Sequence, residues 1–367
     1  MPTATAADVL AYRAAAQQLD SDAGTPAETA VLDLGVQDTG PDGGAWALEI
    51  RGATADPAEL ATVWTLRGAP HLYRRADLPG VAAATAPFSE ADAAKRVYDA
   101  ARPLRAAGIP VLTALDTIAA AMREAVAEPR VKGEVSRVVS DALAGEGDPG
   151  PYNRFCRPCD AVHLFEQPFR LAALRAGLEL RPGTSPPVLQ PVPGLAPAGT
   201  VPERLDVVRA YLRLLGPATP QHVAGYLDAP VKDVRERWPD DAVEVEVDGE
   251  RRWLLADDAG RLGAAAPGGV RLLGPFDLFL QARDRETLVP DADRRKALWP
   301  VLGRPGAVLA GGAVAGAWRP RKAGKALTVA VEPWARLSPA TRSGVEEQAE
   351  RLAASRGAAL KAVEFAD

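Results

Sequence analysis

Apolar residues recur at helical spacing in two short segments of the chain that share one construction. In residues 25–34, Ala27, Ala30, Val31 and Leu34 form a helical stripe behind "TPAE". There Thr25 can cap, Pro26 suits the first helical position and Glu28 can reach back. Residues 219–228, "TPQHVAGYLD", repeat the device with Thr219, Pro220, Ala224 and Leu227. Each short helix follows a longer one, "ADVLAYRAAAQQL" or "ERLDVVRAYLRLLG", across a brief turn, which is helix-turn-helix spacing. After the second copy come a third helix, "APVKDVRERW", and then "AVEVEVDGERRWLL", where Asp248-Gly249 separates two strand-like runs as a tight hairpin. Three helices and a hairpin make a winged helix. The first copy fits the same plan with residues 56–64 as its third helix and "VWTLRGAPHLYRR" as its hairpin.

Between the copies, the pattern predicts a long helix over "SEADAAKRVYDAARPLRAAG", a further helix at "RVKGEVSRVVSDAL" and a strand-like "AVHLFEQPFRLAAL", enough for another unit of this kind. "RPGTSPPVLQPVPGLAPAGTVP" (181–202) is proline-rich and reads as an extended linker. From about residue 270 the pattern turns to strands. "AVLAGGAVAGAWRPRKAGKALTVAVEPW" alternates inward and outward positions around two turns, and residues 338–355 form a closing helix. The expected fold class is α+β. The divisions are 1–85, 86–185 and 203–262 as winged-helix units, 186–202 as linker, and 263–367 as a β-rich C-terminal domain.

Composition bounds what such a chain can do. With 47% hydrophobic and 25% charged residues it has the balance of a globular protein, and no run approaches the roughly 18 apolar residues of a membrane helix. The start, "MPTATAADVL", lacks a signal peptide's cationic and apolar regions, so a cytoplasmic protein is expected. The net charge of −5 weighs against nucleic acid unless cations cluster locally. The only two cysteines, Cys156 and Cys159, form C-x2-C-x3-H with His163; a structural zinc site ordinarily uses four ligands, so the expectation is a reduced thiol pair, no metal and no cofactor.

Cations do cluster at "WRPRKAGK", where Arg319, Arg321, Lys322 and Lys325 surround a turn with no acid among them. Such a hairpin tip suits a DNA groove. Arg67, His71 and Arg74 on the first hairpin are further candidate contacts, although His71 and His222 also fit buried structural roles. No P-loop, nucleophile elbow or serine triad is present. Gln37 and Asp38 stand side by side where the short helix of the first unit gives way to "DTGPDGG", a run of turn formers.

The chain resembles the winged-helix DNA-binding proteins that include the AlkZ and YcaQ DNA glycosylases, which excise bulky or crosslinking alkylated purines. The resemblance covers almost the whole chain and is carried by "WTLRGAPHLY" (64–73), "LLGPFDLFLQARDRETLVPD" (272–291), "RRKALWPVLGRPG" (294–306) and "GAWRPRKAGKALTV" (316–329). It implies tandem winged-helix units in a C shape with a concave surface fitted to duplex DNA, followed by a small β-barrel-like domain. It further implies that "WRPRKAGK" lies in the minor groove and that "LGVQD" holds the catalytic motif. The family carries Gln-x-Gln or Gln-x-Asp there, with polar side chains positioning the water that attacks the sugar C1′. In this chain the match is Gly35-Val36-Gln37 followed by Asp38, so the first polar partner is missing. The resemblance makes Gln37 the water-positioning residue and Asp38 its secondary partner in a monofunctional glycosylase acting as a monomer on double-stranded, alkylated DNA, with no membrane partner. The rival readings are a non-catalytic DNA binder, either a regulator or a lesion-shielding protein, and a scaffold whose winged units bind protein.

Overall fold

The computed structural model describes residues 2–41, 43–54, 56–144, 149–266 and 268–366. The fold is α+β, in two compact units that are each discontinuous in sequence: Met1–Ala55, Val208–Val223 and Pro239–Asp367 form the first, and Asp56–Val207 with Ala224–Trp238 the second.

In the first unit, helix Ala6–Ala16 begins with a capping box: Asp8 N–H donates to Thr5 Oγ1 at 3.2 Å and Thr5 N–H to Asp8 Oδ2 at 2.8 Å. Its buried stripe of Val9, Tyr12 and Ala16 packs with Val245, Val247 and Leu254 of a hairpin. The hairpin strands Ala242–Val247 and Glu250–Leu255 are joined by Asp248-Gly249, both at positive φ (47° and 84°), as a two-residue turn of right-twisted strands demands. Strand Thr3–Ala4 adds to it in parallel, against Glu246 and Val247.

The C-terminal part of this unit is a five-stranded sheet of Val270–Leu273, Gly306–Ala310, Ala313–Ala323, Ala326–Pro333 and Ala359–Phe365 in that order, antiparallel except for the last pair. The two predicted turns are present, at Gly311-Gly312 and Gly324-Lys325. The expected barrel is not: among the described residues the strands form an open sheet. Helix Pro339–Ser355, capped by Ser338, makes the parallel crossover and packs on both edge strands, so a helix takes the place of barrel closure. It comes so close at Gly344 that a Cβ there would meet Val270 Cγ2 at 2.7 Å.

The second unit holds hairpin Leu60–Thr65/Ala69–Arg74, extended in the sheet by Leu178–Leu180, Val188–Pro191 and Arg130–Val131. Its core joins Trp64 to helix Val111–Ala125 (Leu115, Ile118, Met122), helix Lys132–Ala142 (Val135, Val139) and helix Glu166–Arg175 (Phe169, Ala172). No single helix among the described residues is long and apolar enough to cross a membrane.

Four local expectations change. Residues 56–64 are a one-turn 3-10 helix at Pro57–Glu59 and then strand; all six residues of "LATVWT" are buried, and the strand is paired along both edges. The stripe opened by Thr25 condenses into turns and the one-turn helix Val31–Leu34, and the next helix of the unit is Gly44–Glu49. The long helix predicted from Ser89 is capped there as expected, but breaks after Arg96, where Tyr98 takes φ 52°, and resumes at Ala101–Ala106. Within the proline-rich stretch, Val188–Pro191 is a sheet strand with Leu189 fully buried, so that part is not linker.

Candidate active site and nucleic-acid interface

Leu32, Leu34 and Val36, at 0%, 0% and 1% exposure, anchor the segment that carries the polar motif. Between them Gly35 takes φ 88° and ψ 141°, which carries the chain from the helix into the extended Val36–Gln37. That conformation strains any residue with a Cβ. The missing polar partner at position 35 therefore reflects a backbone in which a side chain is disfavoured, beyond a simple exchange of residue.

Period two of an extended segment sends Gln37 and Thr39 to one side and Asp38 to the other. Gln37 Nε2 donates to Thr39 Oγ1 at 3.1 Å. With the amide nitrogen so held, Gln37 Oε1 has no partner among the described residues. Asp38 Oδ1 accepts from Gly44 N–H at 2.9 Å, at the start of helix Gly44–Glu49. A Cβ at Gly43 would meet Asp38 Oδ1 at 2.7 Å, so a bare backbone is what admits the carboxylate. Asp42, within the predicted turn run, lies outside the described residues. Thr39 was not a candidate from sequence; its signal was its spacing, since counting forward from Gln37 gives Gln37-x-Thr39, the family's spacing with a hydroxyl in place of the amide or acid.

The helix behind this segment is firmly held. Trp46 Nε1 donates to the Leu272 carbonyl at 2.7 Å, and Trp318 Nε1 donates to the next carbonyl, Leu273, at 2.9 Å. One strand thus ties the motif's helix to the strand bearing the basic turn. Gly306 makes room for the second bond: a Cβ there would lie 2.3 Å from Trp318 Nε1. Arg51 binds Asp277 through Nη1 (2.8 Å) and Nη2 (2.9 Å), wholly buried. Arg13 binds Asp284 through Nη1 (3.0 Å) and Nη2 (2.8 Å), and Arg252 reaches Asp284 Oδ2 at 2.6 Å. Burial pushes the Asp284 carboxyl up, but the two guanidiniums outweigh it and hold the group below the usual carboxylate range. Asp277 and Asp284 of "LLGPFDLFLQARDRETLVPD" thus tie distant segments of this unit together.

Arg319, Arg321, Lys322 and Lys325 are all exposed on one hairpin. Arg319 donates to the Gly303 carbonyl at 2.6 Å, and Arg321 pairs with Glu364 at 3.1 Å. Lys322 and Lys325 have no partner among the described residues, which leaves them as the freest positive charge of the turn. A groove of about 760 Å³ follows Arg319 and Arg321, lined by Trp318, Trp334, Glu332 and Glu364.

The remaining candidates sit in the second unit and are largely engaged. Arg67, at φ 61°, stacks its guanidinium 4.7 Å from the Tyr226 ring centroid and donates to the Tyr226 carbonyl. Arg74 pairs with Asp77 at 3.2 Å. His71 is fully buried, with Nδ1 3.1 Å from Thr65 Oγ1 and 3.0 Å from the Ala69 carbonyl, and therefore offers nothing to an external phosphate. Burial, and then the charge of Arg67, push its imidazole down to about 3.

A family model for DNA glycosylase AlkZ-like proteins matches residues 31–355. An interstrand DNA cross-link repair glycosylase of Streptomyces sahachiroi is 35% identical over 118 residues, which is 28% of this chain and 32% of the relative. The chain thus spans about a third of the length of that curated relative. The solved structure of Streptomyces sahachiroi DNA glycosylase AlkZ superposes with a TM-score of 0.72 over 99% of this chain and 100% of that one, at 22% identity, a likeness of fold.

Proposed function

The chain belongs to the AlkZ-like DNA glycosylase family, and on that premise we propose that it binds duplex DNA and hydrolyses the N-glycosidic bond of bulky N-alkylated or crosslinked purines. The observation that carries this reading is the Gln37–Thr39 hydrogen bond. It holds the amide so that Oε1 is available to accept a hydrogen bond from the attacking water and orient it. An N7-alkylated purine is already a cationic leaving group, so the chemistry asks mainly for placed water and negative potential beside a sugar gaining positive charge. Water oxygen bonds to C1′, the C1′–N9 bond breaks with its electron pair passing to the purine, and one proton of the water leaves to solvent while the other stays on the new C1′ hydroxyl. Asp38 is secondary because one of its oxygens is committed to Gly44 N–H.

We read residues 1–85, 86–185 and 203–262 as tandem winged-helix units, and Lys322, Lys325, Arg319 and Arg321 as phosphate contacts of a monomeric, cytoplasmic protein. Excision from a duplex bearing a bulky N7-alkylguanine or a crosslink, read as alkali-labile strand breakage, tests the proposal: native protein cuts and Gln37→Ala does not. The second reading, a non-catalytic DNA binder, draws on Gly35, which puts no polar side chain at the first position of the motif. Lesion-independent binding without base release by the native protein would establish it instead.

A further inference from the structure

The geometry points to a second site in the hairpin of residues 153–164, where Cys156, Cys159 and His163 hold one tetrahedral metal ion of borderline softness, of the Zn²⁺ class, with a fourth position open to water. One ligand atom of each residue lies within 4.8 Å of the others. A tetrahedral ion with thiolate bonds of about 2.3 Å and an imidazole bond of about 2.0–2.1 Å sets ligand atoms about 3.5–3.8 Å apart, a small side-chain adjustment away.

The backbone explains the convergence. Strands Asn153–Cys156 and Ala161–Leu164 pair with Arg154 opposite His163 and Cys156 opposite Ala161, so period two puts Cys156 and His163 on one face of the hairpin. The turn between the strands closes through Cys159 N–H to the Cys156 carbonyl (3.2 Å) and Asp160 N–H to the Arg157 carbonyl (3.3 Å), with Pro158 inside it and Asp160 at φ 48°. This folds the second thiol back over the first. The two thiols are not joined in a disulfide. His163 Nδ1 lies 2.7 Å from the Leu164 carbonyl, and an N–H donated there fixes the tautomer that offers Nε2 to a metal.

The fourth position falls to solvent. No further Cys, His, Asp or Glu among the described residues joins the group. Glu166, on the next helix, is engaged by Lys132 at 2.8 Å and Arg170 at 2.6 Å. The ion's role is to pin the hairpin's tip. The base is tied to helix Lys132–Ala142 through Asn153 Nδ2 to the Ser140 carbonyl (3.1 Å) and Leu164 N–H to Ser140 Oγ (2.8 Å). On the opposite face the tip presents Phe155 and Val162, 56% and 41% exposed.

The test uses the full chain, purified under reductant without chelator, loaded with zinc sulfate, desalted and assayed by mass spectrometry for metal. About one equivalent of zinc per chain is expected. Cobalt substitution is expected to give strong visible bands of a tetrahedral site and a near-ultraviolet thiolate charge-transfer band. Cys159→Ser and His163→Ala should each lower metal affinity by about tenfold or more and alter those bands, with the circular dichroism of the fold unchanged. Amide exchange across residues 153–164 should rise on chelation. The site is refuted by zinc content below about a tenth of an equivalent with an octahedral cobalt spectrum. It is equally refuted by two thiols that oxidise to an intramolecular disulfide at the same rate with zinc present as without it.

Discussion

Gln37 and Thr39 are joined side chain to side chain across 3.1 Å, while the acid between them binds the N–H that opens the next helix. The three consecutive polar residues thus divide into a pair bonded to each other and one bonded to the backbone. Gln37→Ala is expected to lower single-turnover excision about 100-fold with DNA affinity unchanged. Thr39→Ala, which frees the amide to rotate, should fall between that variant and native protein, and Thr39→Ser should recover native rates. Unchanged excision in Gln37→Ala would remove the residue from the chemistry.

Asp38→Ala addresses the other half of the division. Loss of a carboxylate bonded to a helix's first N–H should lower unfolding stability by about 0.5–2 kcal/mol, measured by urea denaturation. Asp38→Asn keeps an acceptor for Gly44 N–H and should recover most of it. A rate defect in Asp38→Asn without a stability defect would assign the charge itself to proton transfer.

Lys322 and Lys325 carry the freest charge of the basic turn, so Lys322→Ala and Lys325→Ala should weaken binding equally across DNA sequences. Each should reduce the slope of log affinity against log salt by about 1. Glu364→Gln releases Arg321 from its ion pair and should shift affinity the opposite way. Titrations at several salt concentrations check both.

Asp284 neutralises two buried guanidiniums at once. Asp284→Ala leaves the buried Arg13 without its carboxylate and Arg252 with only that of Glu250, and should cost about 3–5 kcal/mol of stability, read by denaturant unfolding. Because its carboxyl is held low in the folded protein, its contribution is present above the unfolded carboxylate value of about 3.9 and lost as pH falls through the lower folded one.

His71 makes stability fall at a milder acidity. Its folded value of about 3 lies below the unfolded value of about 6.5, so the unfolded chain takes up the proton first. The contribution is complete above about pH 6.5 and declines below it, by up to about 1.4 kcal/mol per pH unit. His71→Asn should remove that share of the slope in denaturation midpoints measured between about pH 6.5 and 4.

The elements legible in the chain were those whose signals are local. Asp248-Gly249 specifies a two-residue turn by its backbone freedom, and Ser338-Pro339 announces the last helix. The misread elements depend on distant partners. "LATVWT" is a strand because it is paired along both edges and buried along its whole length, and Leu189 draws a proline-rich segment into the same sheet. The helix from Ser89 breaks at Tyr98, whose hydroxyl bonds Asp228 at 2.6 Å across 130 residues. At the site, Gln37 and the basic turn were readable from resemblance and charge. Thr39 became a candidate only with its hydrogen bond to Gln37, whereas a buried structural place for His71 was already one of the sequence readings.

Thr3 and Ala4 extend the sheet of a hairpin some 240 residues downstream, and Ala6 N–H is bonded by Asp248 at its tip. During synthesis, then, the opening helix must leave the ribosome with its apolar stripe uncovered. At translation rates of roughly 5–20 residues per second it waits on the order of ten to fifty seconds for its partner. The contiguous stretch Asp56–Val207 emerges meanwhile and can collapse on its own core. A helix made long before the hairpin that covers it is thereby among the last parts of its unit to settle.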